Sequence, residues 1–457
     1  MTNNHPLGAI MNKQVTQDDI IYFVVTDRFF GKNKKTVDPS DNKIHGGTLD
    51  GILNKLDYLI ELGVTTIWVT PVYENIQSYN NSEPYHYYWP RNFERIDKRL
   101  LDNTILPNSV DMSTFRRFVD LCEAKGIKVV LDMVVHHVGY GAQTCFPHSW
   151  FNIDGFGNIK GEVAGLPDFD HAKPDVIDYF IKNIESWITT GEVSNIRMDT
   201  VKNIKPKFWY YFKYQIRGEY LVMCLIGEVL LEGKGDVSNL LEFQNDYDFD
   251  SIFDFPLCTA LRSTLIYDES LSNWLARPRL NDNEEPGVLD DDNPQTDGYR
   301  DASMLVTLLD NHDLERRIMS HARTKHPGEE GLDWAIRVTK LCLGALFTIR
   351  GIPQIYYGTE IGLEGWRTDD DRDLRRDFPW DVIGKDNHPL QQFHKEHEIY
   401  EWTRDLIHLR RGSAALKYGT TITLWSDDLV YAFLRISIDD IALVVINNDY
   451  TSASIPN

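Results

Sequence analysis

Eight short runs rich in β-branched and aromatic residues recur along the chain, at 20–28, 65–71, 127–135, 195–200, 221–228, 251–256, 304–311 and 351–357. Between and after them lie amphipathic stretches at 48–62, 113–125, 175–189, 206–218, 238–243, 257–275, 333–348 and 398–411. Strands that alternate with helices pair in parallel through crossovers, and eight such units predict an α/β chain closed into a (β/α)8 TIM barrel rather than an open sheet. Pro174 and Pro206 fall at proposed helix starts, and Gly63, Gly126, Gly191 and Gly218 at proposed ends, where each residue's backbone chemistry belongs.

The intervals are uneven. Residues 139–173 carry little helical period and many Gly, Pro and aromatic residues, so a loop-rich inserted domain is expected after strand three. After 411 the pattern changes to alternating strands at 420–425, 430–436 and 441–446, the mark of a small β domain. The expected division is therefore a barrel in two parts, 13–138 and 174–411, an insert at 139–173 and a short C-terminal β domain at 412–457. An acidic stretch at 278–301 reads as a solvated loop.

Charge narrows the partners. With a net charge of −22 the chain lacks the basic surface that nucleic acid or an anionic membrane requires, whereas a neutral substrate is not repelled. No run reaches the roughly 18 uncharged apolar residues of a membrane span, and the first twelve residues do not pattern as a signal peptide. The cysteines, Cys122, Cys145, Cys224, Cys258 and Cys342, are scattered without paired spacing and read as reduced thiols. A cytoplasmic location is expected; the oligomeric state is not legible.

Barrel enzymes place their chemistry at the C-terminal strand ends. Residues two apart on a strand share a face, so Arg197 and Asp199 project together, cation beside carboxylate. Strand three delivers Asp132 and then His136 and His137, strand five Glu228, and strand seven Asn311-His-Asp313. Several carboxyls on one rim suit acetal cleavage: a carboxylate attacks the anomeric carbon while a protonated partner supplies the leaving oxygen with a proton. Arg197 favours the charged form of Asp199, whereas the apolar runs on both sides of Glu228 raise its pKa.

These residues carry a resemblance to the α-amylase-family glycoside hydrolases. Asp132–His137, Arg197–Lys202, Gly227-Glu-Val229 and Leu309-Asp-Asn-His-Asp313 resemble that family's four ordered motifs. Thr26-Asp-Arg-Phe29, Gly46-Gly47, Tyr85-His-Tyr-Tyr-Trp89, Leu166-Pro-Asp-Phe-Asp170 and the Gly351–Gly358 stretch are similar to others, and together they span the chain to about Arg411. The resemblance implies Asp199 as nucleophile, Glu228 as general acid/base and Asp313 as transition-state stabiliser. It further implies sugar contacts from His86, Tyr88, His137, Arg197, Lys202, His312, Asp371 and Arg375, with Asp132 as a structural partner.

By the same resemblance the substrate is an α-1,4-glucan or malto-oligosaccharide, because Lys202 is kept although Asn203 stands where those enzymes carry His. A 4-α-glucanotransferase or trehalose-synthase-like activity shares the covalent step, and a non-catalytic sugar binder would have lost one of the acids. No cofactor is required for the chemistry. The family's structural calcium is doubtful here, since His136 replaces the usual Asn ligand and Asp168 alone remains as a candidate. Tyr87 replaces a usual Gly and is expected to add bulk beside the donor sugars.

Overall fold

The computed structural model describes residues 13–449 except 35–37, 39–40, 221–222, 231–237, 268, 272–298, 327, 329 and 369. Most of the acidic stretch, the first twelve residues and the end of the helix expected at 257–275 lie outside the described residues.

The strands that build the barrel are β1 (Ile21–Val24), β2 (Thr66–Val69), β3 (Lys128–Met133), β4 (Asn195–Met198), β5 (Cys224–Gly227), β6 (Ser251–Ile252), β7 (Val306–Leu308) and β8 (Ile352–Tyr356). All pair in parallel in the order β6-β5-β4-β3-β2-β1-β8-β7. A parallel bridge between Phe253 and Val306 joins the two ends, and the Asp254 amide donates to the Val306 carbonyl at 2.9 Å. The cylinder is thereby closed. Every residue of β1, β2, β4, β5 and β8 is buried, which is why these runs read as apolar without alternation.

The strands are shorter than the apolar runs suggest. Asp199, Glu228 and the Asp310–Asp313 stretch follow the last paired residue of β4, β5 and β7, so the residues that end each run form the rim. An aromatic layer lies within the barrel wall below them, with Phe23 stacked on Trp68 at 3.6 Å and tilted Phe253 next to Trp68 at 5.2 Å.

Local departures from the sequence pattern have identifiable causes. The helix expected at 48–62 is two helices, Leu49–Asn54 and Leu56–Leu62, broken at Lys55, whose φ of −114° leaves helical space. The Lys55 ammonium then sits over the rings of Phe30 (4.3 Å) and Trp380 (4.1 Å), a cation–π position. A two-stranded antiparallel pair, Tyr73–Asn75 with Pro90–Ile96, was not apparent from periodicity.

Between β3 and the helix Pro174–Thr189 the chain forms short 3-10 turns and isolated antiparallel bridges, packed on Phe146, Phe151 and Phe169. The Phe169 amide donates to the His136 carbonyl at 2.9 Å, and the Val138 amide to Pro167 at 3.0 Å, which stitches this insert to the barrel. At the other end β9 (Thr420–Ser426), β10 (Val430–Ile436) and β11 (Ile441–Asn447) make an antiparallel sheet. All five cysteines are free thiols, and only Cys145 is exposed. Among the described residues no helix is long and apolar enough to cross a membrane.

Candidate active site

One guanidinium organises the rim. Arg197, on β4, is 1% exposed; its Nη1 donates to Asp132 Oδ1 at 2.9 Å and to Asp199 Oδ1 at 2.6 Å, and its Nη2 pairs with Glu228 Oε1 at 2.9 Å. The Trp68 ring lies 5.1 Å below the cation. Three carboxyls share a single buried positive charge, so full ionisation of all three is unfavourable.

The environments decide which one keeps a proton. Burial raises the Glu228 carboxyl, Arg197 pulls it back, and the Asp199 and Asp313 carboxylates push it up again. Burial pushes Asp132 in the same direction. Asp132, however, also receives the Trp68 indole N–H at 3.0 Å and the Tyr88 hydroxyl at 2.6 Å, whereas Glu228 adds only the Thr200 amide at 3.0 Å. Donors favour the charged acceptor, so the proton resides on Glu228.

Backbone geometry fixes these carboxyls. The Asp199 amide donates to Met133 and the Glu228 amide to Met198, both at 3.0 Å, so each acid sits one step past its strand on continued ladder bonds. Thr200 turns the chain with a left-handed φ of 49°, which directs its amide at Glu228. A side chain at Gly227 would meet the Phe249 ring at 2.7 Å, so the residue before the acid has to be glycine.

Asp313 approaches from β7. The Asn311 side chain accepts from the Asp313 and Leu314 amides, both at 2.9 Å, forming the turn that presents it. Arg375 Nη2 reaches Asp313 Oδ1 at 2.8 Å and Asp371 Oδ2 at 2.9 Å. Asp199, Glu228 and Asp313 all border one cavity of about 630 Å³. His86, Tyr88 and His312 wall it on one side, and His137, Lys202, Asp371 and Arg375 also face it. The Tyr88 and His312 rings lie 5.2 Å apart at 26°. His86 Nδ1 accepts the Tyr88 amide at 3.0 Å, which leaves its proton on Nε2. Burial, reinforced by Arg375, holds His86 and His312 well below the ordinary histidine pKa, so both rings are neutral.

A family model described as "Alpha amylase, catalytic domain" matches residues 23–153 and 158–419. The chain belongs to the alpha-amylase family. It is 30% identical over 483 residues to a beta/alpha-amylase of Paenibacillus polymyxa, covering 98% of this chain and 35% of that protein. A cyclomaltodextrin glucanotransferase of Geobacillus stearothermophilus is 28% identical, over 97% of this chain and 61% of the relative. The chain thus spans about a third and three fifths of the length of these relatives. The solved alpha-amylase of Geobacillus thermoleovorans, complexed with acarbose, superposes with a TM-score of 0.74 at 27% identity, covering 95% of this chain and 88% of that one.

Within this alpha-amylase-family site two expectations are revised. Arg197, expected among the sugar contacts, lies beneath the carboxylates and does not border the cavity, because its fork is occupied by Asp132, Asp199 and Glu228. Tyr87 adds no bulk to the cleft: it is fully buried away from the cavity at a φ of 64°, a backbone region that explains why glycine suits this position. His137 faces the cavity with Nε2 already 3.1 Å from the Tyr88 carbonyl and Nδ1 3.3 Å from His136 Nδ1.

Other wall residues were missed. Tyr140 stacks on Tyr79 at 4.0 Å with Trp89 edge-on at 5.3 Å, making an aromatic ledge at the rim. Arg367 ties the Asp371 carboxylate, at 2.5 Å, to the Asp313 carbonyl. Its segment, Arg367 to Arg376, alternates charges densely, and that density was the available signal. Asp168 is buried at the seam of insert and barrel, where it groups with His136 and Glu162. That donor set contains an imidazole and is not the all-oxygen cage that calcium favours.

Proposed function

We propose that this chain is a retaining glycoside hydrolase that cleaves α-1,4-glucosidic bonds of starch- or glycogen-type glucans and malto-oligosaccharides. The observation that carries the reading is the pair Asp199 and Glu228 on one guanidinium fork, beside Asp313, at the floor of a single cavity. A shared fork favours the short carboxyl separation, about 5 Å, of a double-displacement enzyme over the wider gap that holds a water molecule.

In the first half-reaction an Asp199 oxygen bonds to the anomeric carbon as the glycosidic C–O bond breaks, and the Glu228 proton passes to the departing oxygen. In the second half Glu228, now ionised, takes a proton from water, whose oxygen displaces Asp199 from the same carbon. Each displacement inverts, so the product keeps the starting configuration. Asp313, steadied by Arg375, accepts hydroxyl hydrogen bonds from the distorted ring. The Tyr88 face offers a stacking surface, and His86 and His312, being neutral, share hydroxyl hydrogens.

The similarity to a cyclomaltodextrin glucanotransferase favours a second reading, transfer of the glycosyl group to another sugar. Chromatography of products from starch, maltotriose and maltose separates the two. Hydrolysis yields only shorter sugars from maltotriose, transfer yields longer or cyclic ones, and intact substrates would overturn both.

A further inference from the structure

We propose that His136, Glu162 and Asp168 form a site for a first-row transition-metal dication, of zinc type, at the seam between insert and barrel. Their ligand-capable atoms all lie within 4.8 Å of one another. His136 follows β3, and Asp168 stands in the returning segment of the insert, where it bridges to His137. Ligands on a tetrahedral zinc at about 2.0–2.2 Å stand roughly 3.4 Å apart, so the set closes by an approach of about 1 Å, which rotation of the exposed Glu162 side chain towards the two buried ligands supplies.

An independent observation points to a cation. Asp168 is 0% exposed; its Oδ2 accepts from the Asn152 side-chain amide at 2.6 Å, while its buried Oδ1 has no partner at hydrogen-bonding geometry, the Glu162 backbone N–H being a further donor near the carboxyl. A buried carboxylate oxygen left unpaired is unfavourable, and a bound cation supplies what is lacking. Asn152 then orients the ligand from behind.

The neighbouring histidines fix which nitrogen of His136 is available. The Tyr88 carbonyl can only accept, so His137 Nε2, 3.1 Å away, carries the proton and His137 Nδ1 holds a lone pair. That lone pair faces His136 Nδ1 at 3.3 Å, which places the His136 proton on Nδ1 and leaves Nε2 free to ligate. An imidazole with two carboxylates suits zinc, cobalt or manganese; calcium seeks six to eight oxygens. Because Glu162 also borders the glucan cavity, the ion would fasten the cavity wall to the barrel strand without entering the chemistry.

The test uses the full chain stripped with a chelator and dialysed against zinc, cobalt or calcium one at a time. Bound stoichiometry, the visible absorption of cobalt and the melting temperature are read. The expected result is one equivalent of zinc or cobalt, tetrahedral cobalt absorption, and a melting temperature raised by zinc but not by equimolar calcium. Glu162→Gln, on an exposed side chain that leaves the fold intact, is expected to weaken zinc by at least about tenfold, and His136→Gln more. His136→Asn should shift preference towards calcium. Calcium bound as tightly as zinc, no bound ion, or zinc retention unaffected by both Gln variants would each overturn the proposal. A His394→Gln variant, altering an exposed imidazole far from these ligands in sequence, is expected to keep the ion, and loss of binding there would also overturn it.

Discussion

Glu228 and Glu360 are both buried acids, and burial is the first cause of a raised carboxyl in each. They differ in everything else. Glu360 Oε1 accepts the hydroxyls of Tyr22 and Tyr58, each at 2.7 Å, in a sealed space between β1 and the helix Leu56–Leu62, and its carboxyl rises to about 7. Glu228 shares a cation with Asp199 and opens onto the cavity. A displaced pKa therefore reports desolvation, and chemistry is assigned only where a second carboxylate and room for a substrate accompany it.

The largest effect expected from this contrast is on turnover. Glu228→Gln keeps the side-chain volume and an acceptor for the Thr200 amide but removes the transferable proton, so activity should fall by about 10²–10⁴-fold while the variant remains folded. Glu360→Gln should stay within a few-fold of the parent. A reducing-sugar assay paired with calorimetry checks both. The comparison breaks if the Glu360 variant, still folded, loses activity as severely as the Glu228 variant.

A second effect, on stability, should run the other way. Glu360→Leu leaves two buried tyrosine hydroxyls without their acceptor, at about 1–3 kcal/mol each, so unfolding free energy should drop by roughly 2–6 kcal/mol. Turnover per folded molecule should hold. Urea denaturation measures the first and an assay at low temperature the second; an unchanged urea midpoint would mean the tyrosine pair does not depend on Glu360.

The barrel and the three acids were legible in sequence because their causes are local. Parallel strands buried on both faces leave continuous apolar runs, and strand ends in such a barrel leave polar residues in fixed places, as Asp199 and Glu228 show. Contacts made across long sequence separations were not legible. Arg197 becomes a buried hub only when Asp132, 65 residues away, occupies its fork, and Arg367 reaches Asp313 from 54 residues on. Tyr87 was misread because a one-letter sequence carries no sign of φ, and at 64° its side chain points away from the cleft that its neighbours Tyr88 and His86 border. The break at Lys55 was hidden for a related reason, since Phe30 and Trp380, whose rings its ammonium overlies, lie elsewhere in the chain.

The most gradual effect, spread over several pH units, is the sharpest discriminator between the two acids. A carboxyl raised in the folded state holds its proton at pH values where the unfolded chain has released it. Folding stability therefore declines as pH rises from the ordinary glutamate value of 4.5 through the raised one, at about 1.4 kcal/mol per unit of displacement. Glutamine does not titrate, so each Gln variant should gain stability relative to the parent across that window. For Glu360→Gln the gain should level off near pH 7. For Glu228→Gln its extent depends on the Asp199 charge, which helps raise Glu228. In an Asp199→Asn background that contribution is removed, so the gain should be smaller and should level off at lower pH, while the Glu360→Gln curve should not move. Urea midpoints from roughly pH 5 to pH 9 give all four curves, and groups common to both members of a pair cancel. If Asp199→Asn shifts the Glu360 curve as much as the Glu228 curve, or shifts neither, then the charge of Asp199 does not act selectively on its neighbour, and the division of roles between the two carboxyls on the Arg197 fork loses its electrostatic basis.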